Sequence, residues 1–167
     1  MTTSGTGRWL AARARLLTND DSCGQALVEF ALIAPLILMI AVGMAVFGIG
    51  LNEQLVLTNA TELGAQQLAI SRGQTTDPCL TLNDAVVNAS ADLTPARMTF
   101  TLSLNGVPSG SFSGQAAGGA AICASMKSDM VEGANETITV TYPFTASFIN
   151  FGTKSYTLTA NVQEVIE

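Results

Sequence analysis

The sequence predicts an α+β fold: a long N-terminal helix, transmembrane in its first half, packed on a small antiparallel sheet of three or four strands. Two observations predict it. An uninterrupted apolar run occupies residues 31–51. Several later segments alternate apolar residues with Thr or Ser, the period-two pattern of half-buried strands. A helix followed by a run of strands is typical of α+β proteins.

The apolar run, ALIAPLILMIAVGMAVFGIGL, contains 21 residues and no charge. A helix rising about 1.5 Å per residue needs roughly 20 such residues to cross a bilayer. A secretory signal has a shorter core of about 7–15 residues, so we expect this run to remain as a membrane span. A buried core helix is the alternative, but an all-round apolar helix of this length is costly to leave in water.

The flanks of the apolar run predict its direction. Arg8, Arg13 and Arg15 precede the run, whereas Asn52, Glu53 and Gln54 follow it. The positive-inside rule then predicts a cytoplasmic N-terminus. In a bacterium this is a single-pass inner-membrane protein with an exported body.

Beyond the run, the absence of Pro predicts that the helix continues outside the membrane over residues 52–73, giving one helix from about 26 to 71 that ends near Gly73. A helical stripe is expected to pack on the exported domain: Leu55, Val56, Asn59, Leu63, Gln66 and Ile70. Leu82, Ala85, Val86 and Ala89 predict a second short helix, capped at or near Thr81.

The remaining chain predicts strands. Three alternating segments carry the pattern, with apolar positions Met98 to Leu104, Ile138 to Tyr142, and Tyr156 to Val162. A turn is expected at Asn105-Gly106 and Pro108-Ser109-Gly110, and a flexible loop at residues 114–120.

The charge balance and the residue types exclude several functions. From residue 25 onward there are four basic and eleven acidic side chains, which argues against nucleic acid as a partner. The chain contains no His, which removes Ser-His triads and most zinc sites. No phosphate-binding or nucleophile-elbow motif is present. We therefore expect no enzyme activity, no cofactor and no metal site.

One acidic residue, Glu29, lies at the edge of the apolar block. A carboxylate at mid-bilayer costs on the order of 3 kcal/mol unless it finds a partner, and less at headgroup level. Glu29 therefore either lies at the level of the lipid headgroups or is a functional carboxylate that pairs with a cation.

The segment GQALVEFALIAPLILMIAVGMAVFG, which begins at Gly24, resembles the TadE-like minor pilins (pseudopilins) of tight-adherence, Flp-type IVb pilus systems. The segment TNATELGAQQLA at 58–69 is also similar to that family. The resemblance covers residues 24–72, and a basic residue that the family usually carries near Gly64-Ala65 is missing.

The resemblance implies processing and assembly. A prepilin peptidase would cut between Gly24 and Gln25, removing residues 1–24 as a cytoplasmic leader, so that residues 25–51 remain as the span. Glu29 would then pair with the newly freed amine of its own or a neighbouring subunit during assembly. An α-amine has a pKa near 8 and is largely cationic at neutral pH, so each charge would stabilise the burial of the other.

The three cysteines divide by predicted topology. Cys23 precedes the cut and should stay reduced, whereas Cys79 and Cys123 lie in the exported domain, residues 74–167, where thiols tend to oxidise. We expect a disulfide between these two. Two buried free thiols are the alternative.

The predicted function is a minor pilin-like subunit of a Flp/Tad pilus, involved in pilus assembly or cell adhesion. Its expected partners are the prepilin peptidase, the inner-membrane assembly platform, other pilin-like subunits and membrane lipid. The alternative is an uncleaved signal-anchored envelope protein whose outer domain binds a ligand or partner.

Overall fold

The computed structural model describes residues 21–148 and 152–167. Most of the predicted leader therefore lies outside the described residues. The chain divides into two compact units, one reaching Ala45 and one spanning Val46–Glu167. The fold class is confirmed: a long helix is followed by a short helix and a four-stranded antiparallel sheet.

The first helix, α1, runs over Asp21–Ala69 and includes Pro35. Its apolar part is long enough to cross a membrane by length and composition, and none of the most apolar 18 residues is buried by the rest of the chain. Leu27, Phe30 and Leu32 are each about two-thirds exposed or more, at 68%, 66% and 74%. Large apolar side chains in this state require lipid or another protein around them.

The second half of α1 contributes one face to the core. Its buried positions are spaced three and four residues apart, as one face of a helix requires: Leu57, Ala60, Thr61, Gly64, Ala65, Leu68 and Ala69. The stripe predicted from the sequence was wrong at Leu55, Leu63 and Ile70, which are more than half exposed, whereas Val56 packs partly buried against the core. Both stripes have helical spacing, and the structure buries the one with smaller side chains.

A close approach of the second helix explains this choice. Helix α2 spans Pro78–Ala89 and begins at an Asp77 cap, four residues before the predicted one. A Cβ atom added to Gly64 would lie 2.6 Å from Val86 Cγ2 and 3.0 Å from Leu82 Cδ1. The two helices therefore meet at a distance that only a residue without a side chain allows at position 64.

The sheet has the order β2-β1-β3-β4, with every neighbouring pair antiparallel. Its strands are β1 (Thr99–Leu104), β2 (Val107–Ser113), β3 (Asn135–Phe148) and β4 (Gly152–Val165). Short 3-10 helices precede β1 and β3, at Pro95–Arg97 and Ala124–Asp129. The core lies on one face of the sheet, where Phe100, Leu102, Ile138 and Val140 are fully buried.

The turn prediction was correct at Asn105-Gly106 and wrong at the residues after it. Both residues have positive φ, 49° and 81°, as a two-residue type I′ hairpin requires. Pro108, Ser109 and Gly110 belong instead to edge strand β2, opposite β1, where the pairing is irregular between Thr101 and Ser103. An edge strand tolerates Pro and Gly because one side of it makes no ladder hydrogen bonds.

We predict that Gly64→Ala destabilises the unit Val46–Glu167 by about 1–3 kcal/mol, because the added methyl group collides with the stiff Val86 side chain. The gain in helix propensity, about 1 kcal/mol, opposes part of this loss. Thermal unfolding of the purified protein in detergent measures it. Gly48→Ala is the matched control, because nothing lies within 4 Å of a Cβ there. Equal melting temperatures for the two variants would contradict the close packing at Gly64.

Candidate functional site

The predicted processing and assembly residues lie together in the first described turns of α1. Gly24, Gln25 and Glu29 are all exposed, and the Gln25 side-chain amide donates a hydrogen bond to Glu29 Oε1 at 3.2 Å. This contact shows that the side chain of residue 25 reaches the Glu29 carboxylate along the helix. In this uncleaved chain the carboxylate thus has an amide partner in place of a cation.

Gly24 imposes no packing requirement of its own. No atom lies within 4 Å of a Cβ placed on it, and its φ is not positive. A glycine within a helix costs about 1 kcal/mol relative to alanine. Neither backbone geometry nor packing within the described residues explains a glycine here, so the position is open to a recognition role.

The unit Val46–Glu167 contains the predicted disulfide. Cys79 and Cys123 are bonded with their Cα atoms 5.5 Å apart, across 44 residues of sequence. The bond joins the first turn of α2 to the residue that precedes the Ala124–Asp129 3-10 helix. Both cysteines are buried, with at most 8% of their surface exposed.

A buried carboxylate beside the disulfide fixes the same two segments. Asp77 is 3% exposed and caps α2 by accepting from the Leu80 amide at 3.1 Å. It also accepts from the amides of Ile122 and Cys123. Asp77, Cys79 and Cys123 form the acidic and sulfur cluster among the described residues that is tight enough to hold a metal ion. Because the sulfurs are bonded to each other and backbone amides donate to the carboxylate, these three residues link the two segments of the chain rather than bind a metal ion.

The loop expected to be flexible at residues 114–120 is instead bound to α2. Asn83, which is fully buried, accepts from the Gln115 amide and donates to the Gln115 carbonyl, both at 3.0 Å. Asp84 accepts from the Gly118 amide with both carboxylate oxygens. Three side chains of α2 and its cap therefore hold the whole connection between β2 and Cys123 in place.

Glu136 is an acid that the sequence analysis missed. It lies on the core face of β3, opposite Leu104 on β1 and Glu164 on β4, and it is fully buried. Neither carboxyl oxygen has a hydrogen-bond partner among the described residues. Burial, reinforced by the negative charge of Glu164, raises the pKa of Glu136 to about 8. Glu136 is therefore largely a neutral acid at pH 7.

Signals for the missed residues were present in part. Glu136 has the same parity as Ile138, Val140 and Tyr142, so extending the alternation two residues back places it on the core face. Asp77 precedes a proline, and an Asp followed by Pro at the first helical position is typical of a helix start.

The described part of the chain thus defines a class: an α+β protein whose N-terminal apolar helix, of membrane-spanning length, continues into a small, disulfide-linked unit. The family model described as TadE-like protein matches residues 24–66, from the glycine of the predicted cut to the buried helix face of the unit Val46–Glu167. The resemblance found in the sequence is confirmed, and the chain is TadE-like over this segment. Comparisons with curated proteins and with solved structures give no match.

TadE-like proteins are a structural, non-enzymatic family associated with Tad pili. The match lies over α1, which is the part that carries Gly24, Gln25 and Glu29. The four-stranded sheet lies outside the matched residues, so its role has to be argued from its own side chains.

We predict that reduction exposes two additional thiols and lowers the free energy of unfolding of the unit Val46–Glu167 by about 4 kcal/mol, the chain-entropy value for a loop of this size. Thiol labelling under denaturing conditions, with and without reductant, counts the cysteines. A Cys79→Ala/Cys123→Ala variant should match the reduced protein in denaturant unfolding. Labelling of both cysteines without reductant would contradict the disulfide.

We further predict that Glu136 makes the unfolding free energy fall as pH rises between about 4.5 and 8. The folded state keeps the proton up to pH 8, whereas the unfolded chain loses it near the ordinary value of 4.5. The stabilisation is complete below pH 4.5 and lost by pH 8, with a slope of at most about 1.4 kcal/mol per pH unit.

Denaturant unfolding across this pH range measures the effect of Glu136. Glu136→Gln stays neutral and should flatten the profile, whereas Glu62→Gln, which changes an exposed acid on α1, should leave the slope unchanged. A parent profile with the same slope as that of Glu136→Gln would show that Glu136 has the same pKa in the folded and unfolded states.

Proposed function

We propose that this protein is a minor pilin-like subunit of a Flp/Tad type IVb pilus, inserted with its N-terminus in the cytoplasm. A prepilin peptidase cuts it between Gly24 and Gln25, removing a leader of residues 1–24. Residues 25–51 then anchor the subunit in the inner membrane, residues 52–73 continue the helix outside, and residues 74–167 form the exported domain. The observation that carries the proposal is the TadE-like match, which begins at Gly24 and includes Glu29.

The contact between Gln25 and Glu29 supports a role for the cut as a switch. Before cleavage, the Gln25 side chain offers Glu29 a neutral amide donor at 3.2 Å. Cleavage would place an ammonium group on the same residue, one helical turn from the carboxylate. A charge-assisted hydrogen bond is roughly twice as strong as a neutral one. In lipid, this pairing, within one subunit or between neighbours, lowers the cost of burying both charges.

The new helix N-terminus adds to this effect. A helix that starts at Gln25 carries about half a positive charge at its amino end, and Glu29 would lie just beyond its first turn. The exposed apolar side chains of the preceding and following turns give neighbouring helices a surface to pack on. The partners that follow are the prepilin peptidase, the inner-membrane assembly platform and other pilin-like subunits. The exported domain would contribute to pilus assembly or adhesion.

We predict that the mature protein from its native host begins at Gln25. We also predict that the Glu29→Gln variant is inserted and cut as the parent is, but that its amount in pili is at least about tenfold lower. A tenfold decrease corresponds to the loss of roughly 1.4 kcal/mol of pairing free energy. N-terminal sequencing and the pilus-to-membrane ratio on blots measure the two steps. Glu62→Gln is the matched control, because it changes an exposed acid on the same helix.

The two measurements test the processing of the chain and the pairing of Glu29 separately. A mature N-terminus at Met1 or Thr2 would contradict processing and favour the uncleaved signal-anchored protein, whose outer domain binds an envelope partner. Normal incorporation of Glu29→Gln would contradict the pairing role. Gly24→Val tests the cut independently, since no atom lies near its Cβ and folding should be unaffected.

A further inference from the structure

A pocket of about 270 Å³ lies where the apolar run of α1 ends, wholly inside the unit Val46–Glu167. Val46 and Ile49 on α1 and Phe144 on β3 form apolar walls. Glu53 and Arg97 line the same pocket and give it one charge of each sign. Ligand sites are usually about 300–1,000 Å³, so this volume suits a small polar group more than a large organic molecule.

The Arg97 guanidinium is fixed at the pocket by neutral partners. It donates to the Tyr142 hydroxyl at 3.2 Å and to the Pro143 carbonyl. Its central carbon lies 4.8 Å from the centre of the Tyr142 ring. Two of its five N–H donors are thus used. Among the described residues, the ion pair present is that of Arg72 with Glu132, so the charge of Arg97 is not matched by a carboxylate.

Glu53, the acidic residue of the pocket, lacks a hydrogen-bond donor for one of its oxygens. The residue is half-buried, and its Oε2 atom is fully buried without a hydrogen-bond partner among the described residues. A buried acceptor left without a donor costs about 1–3 kcal/mol, and more when it is charged. The same pocket is therefore lined by a carboxylate with one oxygen that lacks a donor and by a guanidinium that lacks an anion, and the two do not pair with each other.

The position of Glu53 in the sequence indicates which ligand carries both a cation for Glu53 and an anion for Arg97. The uncharged run ends at Leu51, and Glu53 follows two residues later. If the run occupies the hydrocarbon core, Glu53 lies at the level of the lipid headgroups. The molecules most abundant at that level are phospholipids, whose phosphate matches a guanidinium in a bidentate geometry.

We propose that this pocket binds the headgroup of a phospholipid carrying a primary amine, with the phosphate on Arg97 and the ammonium donating to Glu53. Val46, Ile49 and Phe144 then contact the glycerol and the first methylenes of an acyl chain. A phosphoglycerol headgroup leaves the Glu53 oxygen without a cation. A phosphocholine headgroup has the charge but no N–H to donate. The proposal depends on the membrane anchor and is independent of cleavage and of the pilus role.

The test compares headgroups on the unmodified, full-length protein in detergent, using native mass spectrometry to count bound lipids. Phosphatidylethanolamine, its N-methyl and N,N-dimethyl forms, phosphatidylcholine and phosphatidylglycerol share the same acyl chains. We expect phosphatidylethanolamine to bind about tenfold more tightly than phosphatidylcholine, the value of one charge-assisted hydrogen bond. The N-methyl and N,N-dimethyl forms each keep at least one N–H, so the largest loss of affinity should fall between the N,N-dimethyl form and phosphatidylcholine.

Two variants assign the preference to the pocket. Glu53→Gln should reduce the tenfold preference for ethanolamine over choline to less than about twofold while phosphatidylglycerol binding stays or rises. Arg97→Gln should weaken all the phospholipids. Glu62→Gln, an exposed acid further along α1, should keep the parent's ranking. Melting temperatures near the parent's establish that the variants are folded.

Three outcomes would overturn the proposal. The first is equal binding of all headgroups by the parent. The second is an ethanolamine preference that persists in Glu53→Gln, which would assign lipid binding elsewhere. The third is a pocket that is occupied by a second copy of the chain. A Thr145→Cys variant that forms disulfide-linked dimers efficiently and releases no lipid would show this.

Discussion

The burial of one narrow face of α1 against the sheet and α2 is the constraint on which the unit Val46–Glu167 depends. That face is made of Leu57, Leu68 and the small residues between them, and Gly64 allows α2 to approach within contact of the helix backbone. Because α1 is continuous, the same helix that forms the core also carries the apolar run and Glu29. Anchor and domain are thus one element of secondary structure, which suits a subunit whose proposed assembly proceeds through its helix.

A second constraint holds the outer side of the unit. The disulfide, the Asp77 cap, and the Asn83 and Asp84 contacts all connect α2 to the long segment between β2 and β3. That segment is rich in Gly and Ala, and its order comes from covalent and hydrogen-bonded links together with the burial of Met126 and Met130 in the core.

Three acids of this chain have environments that favour different states. Glu29 is exposed on an apolar helix and bonds to an amide; Glu136 is fully buried and largely protonated at neutral pH; Glu53 is half-buried beside an unmatched guanidinium. The first and the third lie near the two ends of the apolar run. The proposed roles follow from that placement, since a carboxylate near lipid is stable only with a cation nearby.

The sequence alone determined the secondary-structure elements that are set by residues close together along the chain. The apolar run, the helix that continues it, the Asn105-Gly106 hairpin and the alternating strands follow from periodicity and turn chemistry, and the Gly24-to-Glu29 motif is likewise contiguous. Tertiary structure decided which of two equally periodic stripes on α1 faces the core. It also placed Glu53 and Arg97, 44 residues apart in sequence, in one pocket. The physical reason is that periodicity fixes the spacing of a face but not its partner. Long-range placement depends on how closely two surfaces can approach, which here is decided by a glycine.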